Sequence, residues 1–370
     1  MTMTTGRRLI ALVGGVALAA TAGIAPASAT PADDHAETQA VLDAYHANTG
    51  PGAAVHAGDS TESWTLSSGT ATVFEDRPIT ATDHFRIASQ TKTFTAAVVL
   101  QLFDEGRVDL DAPIEQYLPG VVTGNFDGTV ITVRQLLNHT SGLPRDVAGA
   151  AANPDGTYEL AALVASAMDD APQSAPGEAL NYSNIGYLVL GMLIEDFTGQ
   201  SVGDAITERI IEPLGLTDTS FPAPGDRELP APYVNGYQGF KVGGAFVWLD
   251  WTTRIELSAW SSAGAMASTF EDLATFYRAL LDGDVISEAA LDDMRGAPNS
   301  VYGLGLFAQE LTCGGVAWGH NGRLATGHAS RTMVTEDGRF ASVLTNTVGL
   351  IQPSDPSEAD VVDAALCEGQ

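Results

Sequence analysis

His84-Phe85-Arg86-Ile87-Ala88-Ser89-Gln90-Thr91-Lys92-Thr93-Phe94 is the stretch on which the reading of this chain turns. Its opening residues are strand-like, and Phe94 to Phe103 is apolar enough for a buried helix. A serine that opens a helix lies beside unpaired backbone N–H groups. A residue three positions on shares its helical face, so Ser89 Oγ and Lys92 Nζ can meet. In an apolar pocket a lysine loses its proton readily, and a neutral lysine can accept the proton of a serine nucleophile. An N-capping serine followed by a solvated lysine would give the same pattern. Against that, the chain has just two lysines, Lys92 and Lys241, so Lys92 is not drawn from a lysine-rich surface.

The rest of the chain supplies a sheet and a helical middle. Ala36 to Ala47 has helical spacing, with Ala40, Val41, Ala44 and Tyr45 as its apolar face. Ala53–Ala57 and Trp64–Ser67 read as strands. Helices are expected at Lys92–Gly106, from an N-cap at Thr132, at Tyr158–Met168, Ile185–Phe197 and Val202–Ile211, with a covering loop or short hairpin over 221–250. Strands return at Tyr302–Leu306, Val316–Gly319, Gly327–Thr335 and Phe340–Thr345, and Ala359–Leu366 closes the chain as a helix. The two ends are therefore expected to share one antiparallel sheet with helices packed on it.

Composition bounds the function. The 370 residues are 45% hydrophobic, enough for a large core or two sub-domains around a cleft. A net charge of −29 excludes nucleic acid and anionic membrane as natural partners. Arg7-Arg8, the apolar run Leu9 to Ala20 and Ala27-Ser28-Ala29 read as a signal peptide over residues 1–29, and no later stretch reads as a membrane anchor. The expectation is a secreted, extracellular, monomeric protein. Cys313 and Cys367, the two cysteines, are expected to form one disulfide. His35, His46, His56, His84 and His328 show no metal-ligand spacing, so no metal or other cofactor is expected.

Two further stretches complete a candidate site. Tyr182-Ser183-Asn184 precedes a helix, and a tyrosine beside a cation can act as a base. His320-Asn321-Gly322-Arg323 lies on a late strand, where the glycine points to close backbone approach by a ligand and the histidine to a proton network. Taken in order, Ser89-x-x-Lys92, Tyr182-x-Asn184 and His320-x-Gly322 resemble the motifs of the serine β-lactamase and penicillin-recognising family. Leu136-Leu137-Asn138-His139-Thr140-Ser141-Gly142-Leu143, Ser262-Ala263-Gly264-Ala265 and Tyr302-Gly303-Leu304-Gly305-Leu306 match its phrases too. The likeness runs from about residue 35 to the C-terminus, and is greatest to secreted D-alanyl-D-alanine carboxypeptidases.

That resemblance implies an α/β (α+β) fold of the β-lactamase/transpeptidase type, an antiparallel sheet flanked by helices plus a helical domain. Residues 30–92 and 256–370 would form the sheet domain and 93–255 the mainly helical one. It implies an acyl-enzyme at Ser89, proton transfer by Lys92 and Tyr182 with either as base, and His320 completing the catalytic set. Asn184, Asn321, Gly322 and Arg323 would bind substrate, a small peptide or β-lactam. The backbone N–H groups of Ser89 and Arg323 would form the oxyanion hole. One departure matters. The carboxypeptidases have threonines flanking the glycine and an arginine near the position of Phe307, and here those carboxylate-gripping groups are replaced. Arg323 is expected to take over the docking of a substrate carboxylate. The leading expectation is a serine D-alanyl-D-alanine carboxypeptidase acting on peptidoglycan-type peptides; a D-amino-acid-specific peptidase or amidase, a carboxylesterase, a β-lactamase and a non-catalytic binding module remain as alternatives.

Overall fold

Strands from both ends of the chain meet in one sheet. The computed structural model describes residues 35–147, 149–243, 245–296, 301–348 and 356–370, so the expected leader over 1–29 lies outside the described residues. In chain order the elements are α1 (Ala36–Ala47), β1 (Gly52–Gly58), β2 (Ser63–Gly69), β3 (Phe85–Arg86), α2 (Thr91–Asp104), α3 (Val133–Leu137), α4 (Leu160–Ser166), α5 (Asn184–Thr198), α6 (Val202–Ile206), α7 (Glu212–Leu214), β4 (Tyr237–Val242), β5 (Ala245–Asp250), α8 (Ser261–Gly264), β6 (Ala267–Ser268), α9 (Phe270–Leu281), α10 (Glu288–Arg295), β7 (Phe307–Glu310), β8 (Val316–Arg323), β9 (Ala329–Thr335), β10 (Phe340–Thr345) and α11 (Glu358–Cys367). The main sheet runs β2-β1-β10-β9-β8-β7 with every neighbour antiparallel. β4 and β5 form the hairpin expected within 221–250. Among the described residues no helix is long and apolar enough to cross a membrane.

The central strands are covered on both faces. Ala53, Val55 and Ala57 of β1 pack with Leu42 and Tyr45 of α1 and with Val361, Val362 and Leu366 of α11. Ala54, one residue out of phase, joins the larger core built around α2, α5 and α9. β10 divides the same way, Ala341 and Val343 to one face, Phe340 and Leu344 to the other. Such strands show apolar runs rather than polar alternation.

α2 is buried along nearly its whole length, the mark of a core helix. Its threonines find partners inside: Thr93 Oγ1 donates to Gly305 O at 2.8 Å and Thr95 Oγ1 to Ser262 O at 2.8 Å. Lys92 lies in this run with 0% exposure.

Three expectations are corrected. Tyr302–Leu306 is not a strand: Gly305 has φ +85°, and a Cβ there would sit 2.6 Å from Ala96 Cβ of α2, so the segment is a turn pressed on that helix and pairing starts at Phe307. The inner face of α1 is Thr38, Leu42 and Tyr45, while Ala40 and Ala44 are exposed, because the larger side chains set which stripe turns inward. α9 and α10 stand where no helix is expected from the sequence, although Thr269 at the start of α9 accepts from Asp272 N as an ordinary N-cap.

Cys313, in the β7–β8 turn, is bonded to Cys367 at the end of α11, with Cα atoms 5.5 Å apart and a separation of 54 residues. Closing a loop of that size is worth roughly 3–4.5 kcal/mol in the chain-entropy model. Reduction is therefore expected to lower unfolding free energy by about that amount, measured by urea titration with and without reductant. Thiol labelling of the denatured, unreduced protein should modify neither cysteine.

Candidate active site

The nucleophile turn is held from two sides. β3 passes through one 3-10 turn, Ala88–Gln90, directly into α2. Ala88 has φ +50°, a left-handed conformation costing a non-glycine residue about 1–3 kcal/mol. Ile87 N–H donates to Met266 O at 3.1 Å, and Gln90 Nε2 donates to Ser330 Oγ of β9 at 2.8 Å. On the other side β8 presses its glycine onto the turn: a Cβ at Gly322 would lie 2.0 Å from Ile87 O and 3.2 Å from Ala88 Cβ. The close approach expected at Gly322 is thus made by the chain's own backbone. Gly322→Ala must push the Ser89 turn and β8 apart. A displacement near 1 Å at reacting atoms costs roughly 100-fold, so kcat should fall by about that factor while Ser89 remains present by mass.

Lys92 Nζ lies 3.2 Å from Ser89 Oγ, 2.7 Å from Asn184 Oδ1 and 2.6 Å from Ala263 O. Burial pushes its pKa well below the ordinary lysine value of 10.5; Asp146 opposes this and Arg145 adds to it. A neutral amine has two N–H groups and one lone pair. In that form Asn184 and Ala263 would accept the two N–H groups and leave the lone pair facing the Ser89 hydroxyl. This arrangement suits a resting base.

Tyr182 is hydrogen-bonded to Ser89 and its ring centroid is 4.9 Å from Lys92 Nζ. Burial raises its pKa well above the ordinary phenol value, outweighing the Ser89 bond and Arg145, which pull it down. The lowered pKa of Lys92 also weakens the cation that would favour a phenolate. Tyr182 is thus held toward its protonated form, and the lowered pKa of Lys92 favours the lysine for the base role that the sequence leaves open between them.

His320 stands behind the cleft rather than in it. Its Nδ1 is 2.5 Å from Asn321 O and its Nε2 3.1 Å from the Tyr302 hydroxyl, which fixes Nδ1–H as donor and Nε2 as acceptor. Burial lowers its pKa to about 3, so it is neutral. His139 is also buried with a lowered pKa; its Nδ1 accepts Ser183 N–H at 3.1 Å and its ring lies 4.1 Å from that of Tyr182. The two histidines brace Tyr182 and the start of α5.

A cleft of about 500 Å³ opens over Ser89, lined by Tyr182, Asn184, Asn321 and Arg323 as expected, and by Phe307, Leu180, Trp260, Leu324, Arg145 and Asp146. A side cavity of about 190 Å³ adjoins it across Asn184 and Trp260, with Val147, Ala150, Tyr158, Leu163 and Leu188 in its walls. Asn184 Nδ2 donates to Asp146 Oδ1 at 2.6 Å, linking the lysine to a carboxylate. Arg323 is not free: its guanidinium donates to Glu358 Oε1 at 2.6 Å. The sequence reading missed Asp146, Arg145 and Glu358. The first two follow the His139–Pro144 turn directly, a signal that was available, whereas Glu358 is 35 residues from Arg323 and was visible to no spacing argument. Among the described residues no three His, Cys, Asp or Glu side chains gather as a metal site.

Comparison with known proteins bears on this geometry. A family model described as Beta-lactamase matches residues 38–366. A D-stereospecific amidohydrolase from Streptomyces sp. is 40% identical, with TM-score 0.74 over 84% of this chain and 94% of that one. The D-amino acid amidase of Ochrobactrum anthropi SV3 is 29% identical, with TM-score 0.76 over 90% of this chain and 98% of that one. Penicillin-binding protein 4 of Amycolatopsis lactamdurans is 32% identical over 185 residues, 50% of this chain and 48% of that protein. Protein flp of Staphylococcus aureus is 36% identical over 141 residues, 38% of this chain and 28% of that protein. The matches thus span less than half the length of either of these two curated relatives.

Proposed function

This chain belongs to the beta-lactamase family, and from that premise we propose that it hydrolyses neutral amides of D-amino acids through an acyl-enzyme at Ser89. One observation carries the choice of leaving group. Both arginines lining the cleft are already paired with a carboxylate, Arg145 with Asp146 at 3.6 Å and Arg323 with Glu358 at 2.6 Å, and burial lowers the pKa of Lys92 well below the ordinary lysine value. A substrate carboxylate would find no unpaired guanidinium in the cleft wall, while an uncharged amide needs none. The D configuration and the amide class come from the two similar enzymes, and the apolar side cavity suits an aliphatic or aromatic acyl side chain.

In this reading Lys92 takes the Ser89 proton as Oγ attacks the carbonyl carbon. The Ser89 and Arg323 N–H groups hold the oxyanion. Tyr182 passes its proton to the departing nitrogen and recovers one from Lys92. Water then attacks the ester by the reverse route. His320 positions Tyr302 and, through the ring cluster, Tyr182. The disulfide fits an oxidising compartment, in keeping with export.

The D-alanyl-D-alanine carboxypeptidase reading retains one favourable observation, the place of Arg323 in the cleft wall. A panel of D-Phe amide, L-Phe amide, a D-Ala-D-Ala peptide, p-nitrophenyl acetate and nitrocefin separates the readings. Ammonia release from D-Phe amide is expected to exceed that from L-Phe amide, and to exceed D-Ala release from the peptide. Faster D-Ala release than D-Phe amide cleavage would overturn the amidase reading in favour of the carboxypeptidase.

A further inference from the structure

We propose that Glu358 is a specificity-determining residue that closes the cleft to carboxylate-terminated substrates by neutralising Arg323. The inference rests on the acyl-enzyme reading above. Arg323 ends β8 and lines the cleft with Asn321 and Phe307, and 58% of its side chain is exposed, whereas Glu358 is only 8% exposed. Tyr45 donates its hydroxyl to the same Oε1 at 3.4 Å. Glu358 is the first residue of α11, where the helix end favours a carboxylate. That helix is packed on the sheet and tied at its other end by the Cys313–Cys367 bond, so Glu358 cannot swing away from Arg323.

The neighbouring charges are balanced as well. Arg331, paired across the strands with Asn321, lies within electrostatic reach of Glu358 and Asp360, and its guanidinium donates to Gln309. Two guanidiniums therefore face two carboxylates. Separating Arg323 from Glu358 would strand a nearly buried carboxylate, which costs more than a solvent-exposed ion pair with a substrate returns. A substrate carboxylate thus meets a neutral pair, and an amide or ester is not penalised.

Benzylpenicillin and its methyl ester offer the same acylating ring and differ only at that carboxylate. The second-order rate of Ser89 acylation by each is measured by intact mass. In the wild type the free acid is expected to react no faster than the ester. In Glu358→Gln, which keeps an oxygen for Tyr45 and Arg323 but removes the charge, the acid-to-ester ratio should rise about tenfold or more, as expected of a charge-assisted contact. In Arg323→Ala/Glu358→Gln it should fall back. Should the Gln variant fail to fold, Glu358→Met fills the same space without charge and is read identically. A wild-type enzyme that already prefers the acid tenfold, or an unchanged ratio in a folded, acylated Glu358 variant, overturns the proposal. Absence of any adduct from the ester would overturn the acyl-enzyme reading and this proposal with it. Failure to cleave D-Phe amide while the ratio responds would remove only the amidase assignment.

Discussion

Ser89→Ala is expected to lower turnover of the best amide substrate by about four orders of magnitude or more, the scale at which a lost nucleophile removes a cooperating set. Neither Ser183 nor Ser262 can substitute. Ser183 Oγ donates to Pro144 O at 2.6 Å and accepts Gly186 N–H at 3.0 Å as the cap of α5. Ser262 Oγ donates to Tyr187 O at 2.8 Å and is fully buried. Stability should stay within about 0.5 kcal/mol, because a cleft hydroxyl is removed and no core contact goes with it. Residual turnover above a small fraction of wild type, with contamination excluded by mass and by a second preparation, would mean that another group attacks the substrate. A penicilloyl adduct on a different residue in the variant would say the same directly.

The parts of this molecule that the sequence discloses are those whose chemistry is local. Ser89 and Lys92 are one helical turn apart, so their meeting follows from helix geometry, and the apolar run after them foretells the burial that lowers the lysine's pKa. The shared sheet follows from β-like ends around a helical middle. What stays hidden depends on distant parts of the chain. The proton state of Tyr182 is set first by its burial, among rings from β8 and the turn before β7. The reason for glycine at 322 is the carbonyl of Ile87, far away in sequence. Arg323 looks like an available cation until α11 brings Glu358 against it. In each case the deciding partner arrives through tertiary packing, which periodicity and motif spacing do not encode.

Lys92→Met should abolish the resting base and lower kcat by about 10²–10⁴, the range for loss of general acid–base assistance. It should also change how stability depends on pH, with a sign that follows from burial. The folded-state pKa of Lys92 lies below its unfolded value near 10.5, so folding releases a proton wherever pH lies between the two. In that window the unfolded chain binds more protons, and wild-type unfolding free energy rises with pH by up to about 1.4 kcal/mol per unit. The contribution levels off once pH passes 10.5. In Lys92→Met this slope is absent. Asn184 Oδ1 and Ala263 O lose their donor in the variant, but that cost does not vary with pH and only offsets the two curves. Urea titrations of both proteins at pH 7, 8 and 9 should therefore show the wild type gaining on the variant at each step, since contributions from all other groups cancel in the difference. A difference that stays flat across these pH values would mean that Lys92 is an ammonium in the folded protein. An ammonium donates to Asn184, Ala263 and Ser89 alike and has no lone pair for the Ser89 proton, so the flat result would remove Lys92 as the base whatever the loss in kcat.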